Sequence, residues 1–142
     1  MKLGVHLNFS GNAGEAFAFY EQVFGRKIQV KMTYADAPGG SPIPGDWSTK
    51  VMHVSLPLGE QMLMGCDAPP GRSTPMGGFQ VSVTSDDSAE VTRIYNALQE
   101  GGSVQMPLGP TFWSALFGMC TDKFGVAWMI GIPGPVPEGQ QS

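Results

Sequence analysis

Two histidines and two cysteines, His6, His53, Cys66 and Cys120, are the side chains of this sequence best suited to chemistry near neutral pH. An imidazole titrates close to neutrality, so His6 and His53 are the candidate catalytic bases, and His6 is also a candidate ligand hydrogen-bonder. The cysteines form no CxxC pair. They read as free thiols of a reducing compartment. Asp67 closes an apolar run just ahead of a Pro-rich stretch. With His6 and His53 it would complete an unusual metal site, although turn preferences favour an Asp that simply opens the stretch. Asp122 begins the run D-K-F-G, where Asp first and Gly last mark a tight turn.

Several chemistries lack their motifs. There is no GxGxxG, no P-loop and no GxSxG elbow. A nucleotide-like cofactor would need a Gly-rich turn between a strand and a helix, so no cofactor is expected. Charged residues make up 14% and the net charge is −4, which argues against a nucleic-acid partner. No stretch approaches the roughly 20 apolar residues of a membrane span. The N-terminus carries no signal-like apolar run, and a cytoplasmic protein is expected.

The elements that must position these groups come from an internal repeat. "VHLNFSGNAGEAFAFYEQVF" from Val5 overlays "FQVSVTSDDSAEVTRIYNAL" from Phe79 without a gap. Val5, Leu7 and Phe9 fall on Phe79, Val81 and Val83, and His6 and Asn8 fall on Gln80 and Ser82. Each copy therefore opens with an alternating strand. Phe17, Tyr20 and Phe24 fall on Val91, Ile94 and Leu98, an apolar face at helical spacing. Asn12 and Asp86 or Asp87 are candidate N-caps, while Gly25 and Gly101-Gly102 stop the helices. Three strand-like runs follow each helix: 27–35, 50–58 and 61–67, then 103–109, 114–121 and 126–132.

The fold expected is α+β: two tandem β-α-β-β-β modules forming an eight-stranded sheet around a cavity. The first module covers 1–67, a linker 68–78, the second module 79–132 and a flexible tail 133–142. A helix covers one face of each sheet, and the other face is left to line the cavity.

That open face should carry the ligand contacts. His6, Asn8, Gln61 and Gln80 are its expected polar groups. Met129 and Ala127 should face the cavity, while Trp128, alternating with them, should pack beneath the second helix. Phe112 and Trp113 should line the mouth, since aromatic walls suit small organic ligands. The Pro- and Gly-rich loop 35–50 reads as a mobile flap, with Trp47 as a contact.

Four segments carry a family resemblance: "HLNFSGNAGEAFAFY" at His6–Tyr20, "VMHVSL" at Val51–Leu56, "TFW" at Thr111–Trp113 and "FGMCTDKFGVAWMI" at Phe117–Ile130. Together they make the chain resemble the vicinal oxygen chelate superfamily of glyoxalase I, extradiol dioxygenases and bleomycin-resistance proteins, and within it the PhnB-like branch. The resemblance implies a homodimer. It also implies four metal-ligand positions on the open faces, which fall on Gly4, Gly78, Leu63 and Met129. None of these residue types supplies the hard oxygen or imidazole donors such sites use, so no metal is expected. The reading reached is a protein binding a small organic molecule in a metal-free cavity. The alternative is a metal-dependent lyase, isomerase or dioxygenase-type enzyme with an atypical site, or a metal-free one using His6 or His53. The methyltransferase label attached to this branch finds no motif here.

Overall fold

A computed structural model describes residues 1–40 and 45–135. The chain divides into two compact units, Met1–Met76 and Gly77–Ser142. Residues 41–44 of the expected flap and 136–142 of the expected tail lie outside the described residues.

The first unit runs β1 (Gly4–Phe9), α1 (Ala13–Phe24), β2 (Val30–Thr33), β3 (Val51–Leu58) and β4 (Gln61–Asp67). The second runs β5 (Val81–Thr84), α2 (Ser88–Gln99), β6 (Ser103–Gly109), β7 (Phe117–Thr121) and β8 (Ala127–Gly131). The eight strands form two four-stranded sheets, ordered β1-β4-β3-β2 and β5-β8-β7-β6. In each, the first strand pairs parallel with the last and the remaining pairs are antiparallel. The parallel pair is possible because the helix supplies the crossover that parallel neighbours require.

Alternation separates the faces. Leu7 and Phe9 on β1, with Val54, Leu56 and Leu63 on β3 and β4, form the first core with Phe17, Tyr20, Val23 and Phe24 of α1. Val91, Ile94, Tyr95 and Leu98 of α2 meet Val81, Cys120, Trp128 and Ile130 in the second. Trp128 is fully buried, as its alternation requires.

The helix starts are built differently. Asp87 caps α2 itself, accepting hydrogen bonds from the Ala89 and Glu90 N–H groups. Asn12 stands at the N-cap of α1 but makes no side-chain cap bond. Its role falls to Asp67, whose Oδ1 accepts from the Gly11 and Ala13 N–H groups at 2.9 Å each, while Oδ2 accepts from the Val51 N–H at 2.9 Å. Asp67 is 1% exposed, so it is a buried tie between the start of α1, the start of β3 and the end of β4. That corrects its expected role as the opener of a turn, and it removes Asp67 from any site with the histidines.

Candidate functional site

The pairing registers decide which side chains share the open face of the first sheet. Gly4, His6 and Asn8 of β1 lie beside Met62, Met64 and Cys66 of β4. Met64 lies beside Ser55 of β3, and Met32 of β2 lies beside His53. These residues belong to the face opposite α1, where His6 and Asn8 are exposed and His53 and Met64 half-buried.

β4 lies between β1 and β3, so His6 and His53 stand on the two strands flanking it. Their rings lean toward each other, with centroids 6.1 Å apart and planes 23° from parallel. Partial burial, and then repulsion from His53, hold the His6 imidazole below its ordinary range. It is therefore neutral at pH 7, able to accept a proton or a hydrogen bond. The Cys66 thiol donates to the Asn8 side-chain oxygen at 3.3 Å. Burial, and then the Asp67 carboxylate, raise its pKa, so it is a weak nucleophile.

The second sheet has its own open face. Ser82 pairs with Met129 and Met119 with Met129, bringing both thioethers together. Gln80 approaches Met119 through its amide nitrogen, 3.4 Å from the sulfur. Phe112, Trp113 and Phe117 form a run of edge-on aromatics, with centroids 4.8 and 5.3 Å apart. Phe112 is 97% exposed. Asp122 is buried in the turn after β7, accepting from the Phe124 and Val126 N–H groups and from the Trp128 indole at 2.9 Å. Burial, and then Asp122, push the Cys120 thiol up to about 11.

Two expected positions change. Gln61 has the parity of Leu63 and Gly65, on the helix-facing side, and does not share the His6 face. Leu63 is buried in the core, so it is not an open-face counterpart of Met129. Leu7 pairs with Gly65 and its repeat mate Val81 pairs with Trp128, so the counterpart of Met129 is Cys66. Met32, Met64, Ser55 and Cys66 complete the face and were missed. The alternation in "QMLMGCD" carried the signal, but only the register shows which parity is outward.

The metal pattern of the resemblance does not fit these residues. Gly4, Gly78 and Met129 lack hard donors, and Cys66 is one thiol tied to Asn8. Among the described residues, no three His, Cys, Asp or Glu side chains come together as a metal site.

The loop 35–50 is anchored where its two ends meet. The Tyr34 N–H bonds the Lys50 carbonyl, the Lys50 ammonium bonds the Gly11 carbonyl at 3.0 Å, and the Tyr34 hydroxyl bonds the Asp67 carbonyl at 2.8 Å. The Trp47 indole N–H is buried beside the Tyr34 hydroxyl without reaching hydrogen-bond geometry.

The chain is similar to proteins of matching architecture. Protein PA1353 from Pseudomonas aeruginosa is 44% identical and superposes with a TM-score of 0.85, over 94% of this chain and 98% of that one. A PhnB protein from Bacillus cereus is 28% identical with a TM-score of 0.72, over 93% and 99%. A glyoxylase/bleomycin resistance protein/dioxygenase domain from Frankia sp. EAN1pec is 14% identical with a TM-score of 0.60, over 92% and 94%, and shares the fold. The model of one family, described as 3-demethylubiquinone-9 3-methyltransferase, matches residues 1–131. The chain belongs to that family, and its two β-α-β-β-β units give it the PhnB-like, glyoxalase-like fold of the vicinal oxygen chelate proteins.

Proposed function

We propose that this protein binds a small organic molecule, without a metal, on its open sheet faces. The observation that carries the reading is the open face of the first sheet. There His6, His53, Asn8 and Ser55 stand among Met32, Met62, Met64 and Val30. An apolar wall with a few placed polar groups is the usual make-up of a ligand site. Thioethers make such a wall adaptable. On the second sheet, Gln80, Met129 and Trp113, with Phe112 beside it, supply the corresponding surface. The protein is read as a cytoplasmic homodimer, and no helix among the described residues is long and apolar enough to cross a membrane.

The 6.1 Å approach of two histidines, one held neutral, favours one second reading, a metal-free enzyme with His6 or His53 as general base. Methyl transfer is not assigned. β1 reaches α1 through Ser10-Gly11-Asn12, which is no cofactor-binding glycine turn.

The test is a thermal-shift screen with small organic molecules, preceded by elemental analysis of untagged protein. Stabilisation by a ligand of metal-free protein, lost in His6→Ala, supports binding. Stoichiometric metal that disappears in His6→Ala or His53→Ala overturns it.

A further inference from the structure

The two histidines also say what kind of molecule this face would take. His6 and His53 lean over β4 from its two neighbours, 6.1 Å apart. The side chains facing them are Asn8 from β1, Met62, Met64 and Cys66 from β4, Ser55 from β3, and Val30 and Met32 from β2. None is an acid. The carboxylate next along β4, Asp67, is turned into the core, where backbone N–H groups occupy both its oxygens. The nearby cations are directed elsewhere. Lys31 alternates toward α1, its ammonium 3.7 Å from where a Cβ on Gly14 would stand, and Lys50 bonds the Gly11 carbonyl.

Two imidazoles this close, with no carboxylate among the described residues of their own sheet face, are a pair of hydrogen-bonding groups that lacks a counter-charge there. We infer that the His6–His53 pair receives the acidic group of the ligand, an organic anion whose apolar body rests on Met32, Met64 and Val30. This rests on the small-molecule reading above. Two cationic rings alone repel each other, which is part of what depresses His6. An anion between them relieves that repulsion and favours the charged ring, whose two N–H groups are both donors. Binding therefore takes up a proton from solvent, and affinity falls as pH rises through the His6 titration of the complex.

The test uses the full chain with isotope-labelled methionine methyls and histidine rings, and two probes of like shape, benzoate and neutral benzamide. Benzoate is expected to shift the Met32 and Met64 methyl signals and to raise the His6 titration midpoint. Its affinity should be severalfold higher at pH 6 than at pH 8, since the full tenfold of about one pKa unit of differential interaction is reached only below both the free and the bound His6 midpoints. Benzamide should bind more weakly and without pH dependence. His53→Gln, checked as folded by its amide spectrum, should erase the advantage of benzoate and keep the benzamide response. If benzoate and benzamide bind equally at every pH, the anion inference fails while the small-molecule reading stands. If neither probe moves any methionine of this face, both fail.

Discussion

Asp67 shows how a single residue can be misjudged from its neighbours. Before a Pro-rich run it reads as a turn residue, and near two histidines as a metal ligand. It is neither. Three backbone N–H groups, two at the start of α1 and one at the start of β3, converge on its carboxylate. Asp67→Ala leaves those donors buried without partners and should destabilise by on the order of 3 kcal/mol, read as a lower urea midpoint. A loss below about 0.5 kcal/mol would show that water replaces the carboxylate. His6 makes a pH prediction at the same scale. Its folded pKa lies below the unfolded value, so the unfolded chain takes up the proton first as pH falls. This contribution to stability is present above pH 6.5 and is lost as pH falls below it. His6→Asn should therefore flatten the fall in melting temperature between pH 7 and pH 5, and an unchanged slope would remove His6 as its source. At Cys120, burial and Asp122 keep the thiol protonated well above neutral pH. Native protein should therefore lose at most Cys66 to a thiol reagent at pH 8, with Cys120 labelled only after unfolding.

At the scale of elements, the two units reach the same fold with volumes exchanged. Phe17 and Val91 are repeat mates on the helices, and the registers make Gly65 and Trp128 mates on the sheets. The first unit sets a large ring on its helix above a glycine, and the second exchanges the volumes, with a buried valine on its helix and a buried large ring in its sheet. A Cβ on Gly65 would lie 2.6 Å from the Phe17 ring and 3.0 Å from the Leu7 carbonyl oxygen. Gly65→Ala should cost about 2 kcal/mol. Combined with Phe17→Val it should cost less than the two single changes summed, a coupling that a double-mutant cycle measures. Strict additivity would mean that the ring moves aside freely. This exchange also explains what the sequence could and could not show. The gapless first strand and helix made the repeat, the element order and the burial of Trp128 legible. Beyond the helices, the two copies differ in loop length, so counting along the chain placed Leu63 opposite Met129. Only hydrogen-bonded pairing shows that Cys66 belongs there. The same uncertainty of parity put Gln61 on the ligand face and left Met64 off it.

At the scale of the molecule, the exposed aromatics bear on how copies associate. Phe112 is 97% exposed and Trp113 41% exposed, stacked edge-on just ahead of β7. Val104 on the edge strand β6 is 45% exposed. A pair of aromatic side chains this open is more typical of an interaction surface than of a freely solvated one. Aromatic residues are also enriched at interfaces between chains. The chain mass is 15.1 kDa, so a homodimer would weigh twice that, 30.2 kDa, in light scattering at micromolar concentration. That mass is expected for the native protein. The double change Phe112→Ser and Trp113→Ser removes the edge-on contact of Trp113 with Phe117 of β7 but no buried core residue, so it should leave the protein folded at a modestly lower melting temperature. If the aromatics hold two copies together, it should move the mass toward 15.1 kDa. If the mass stays at the dimer value while small-molecule stabilisation is lost, the pair belongs to the ligand surface instead. A native protein that scatters as a monomer would refute the dimer outright.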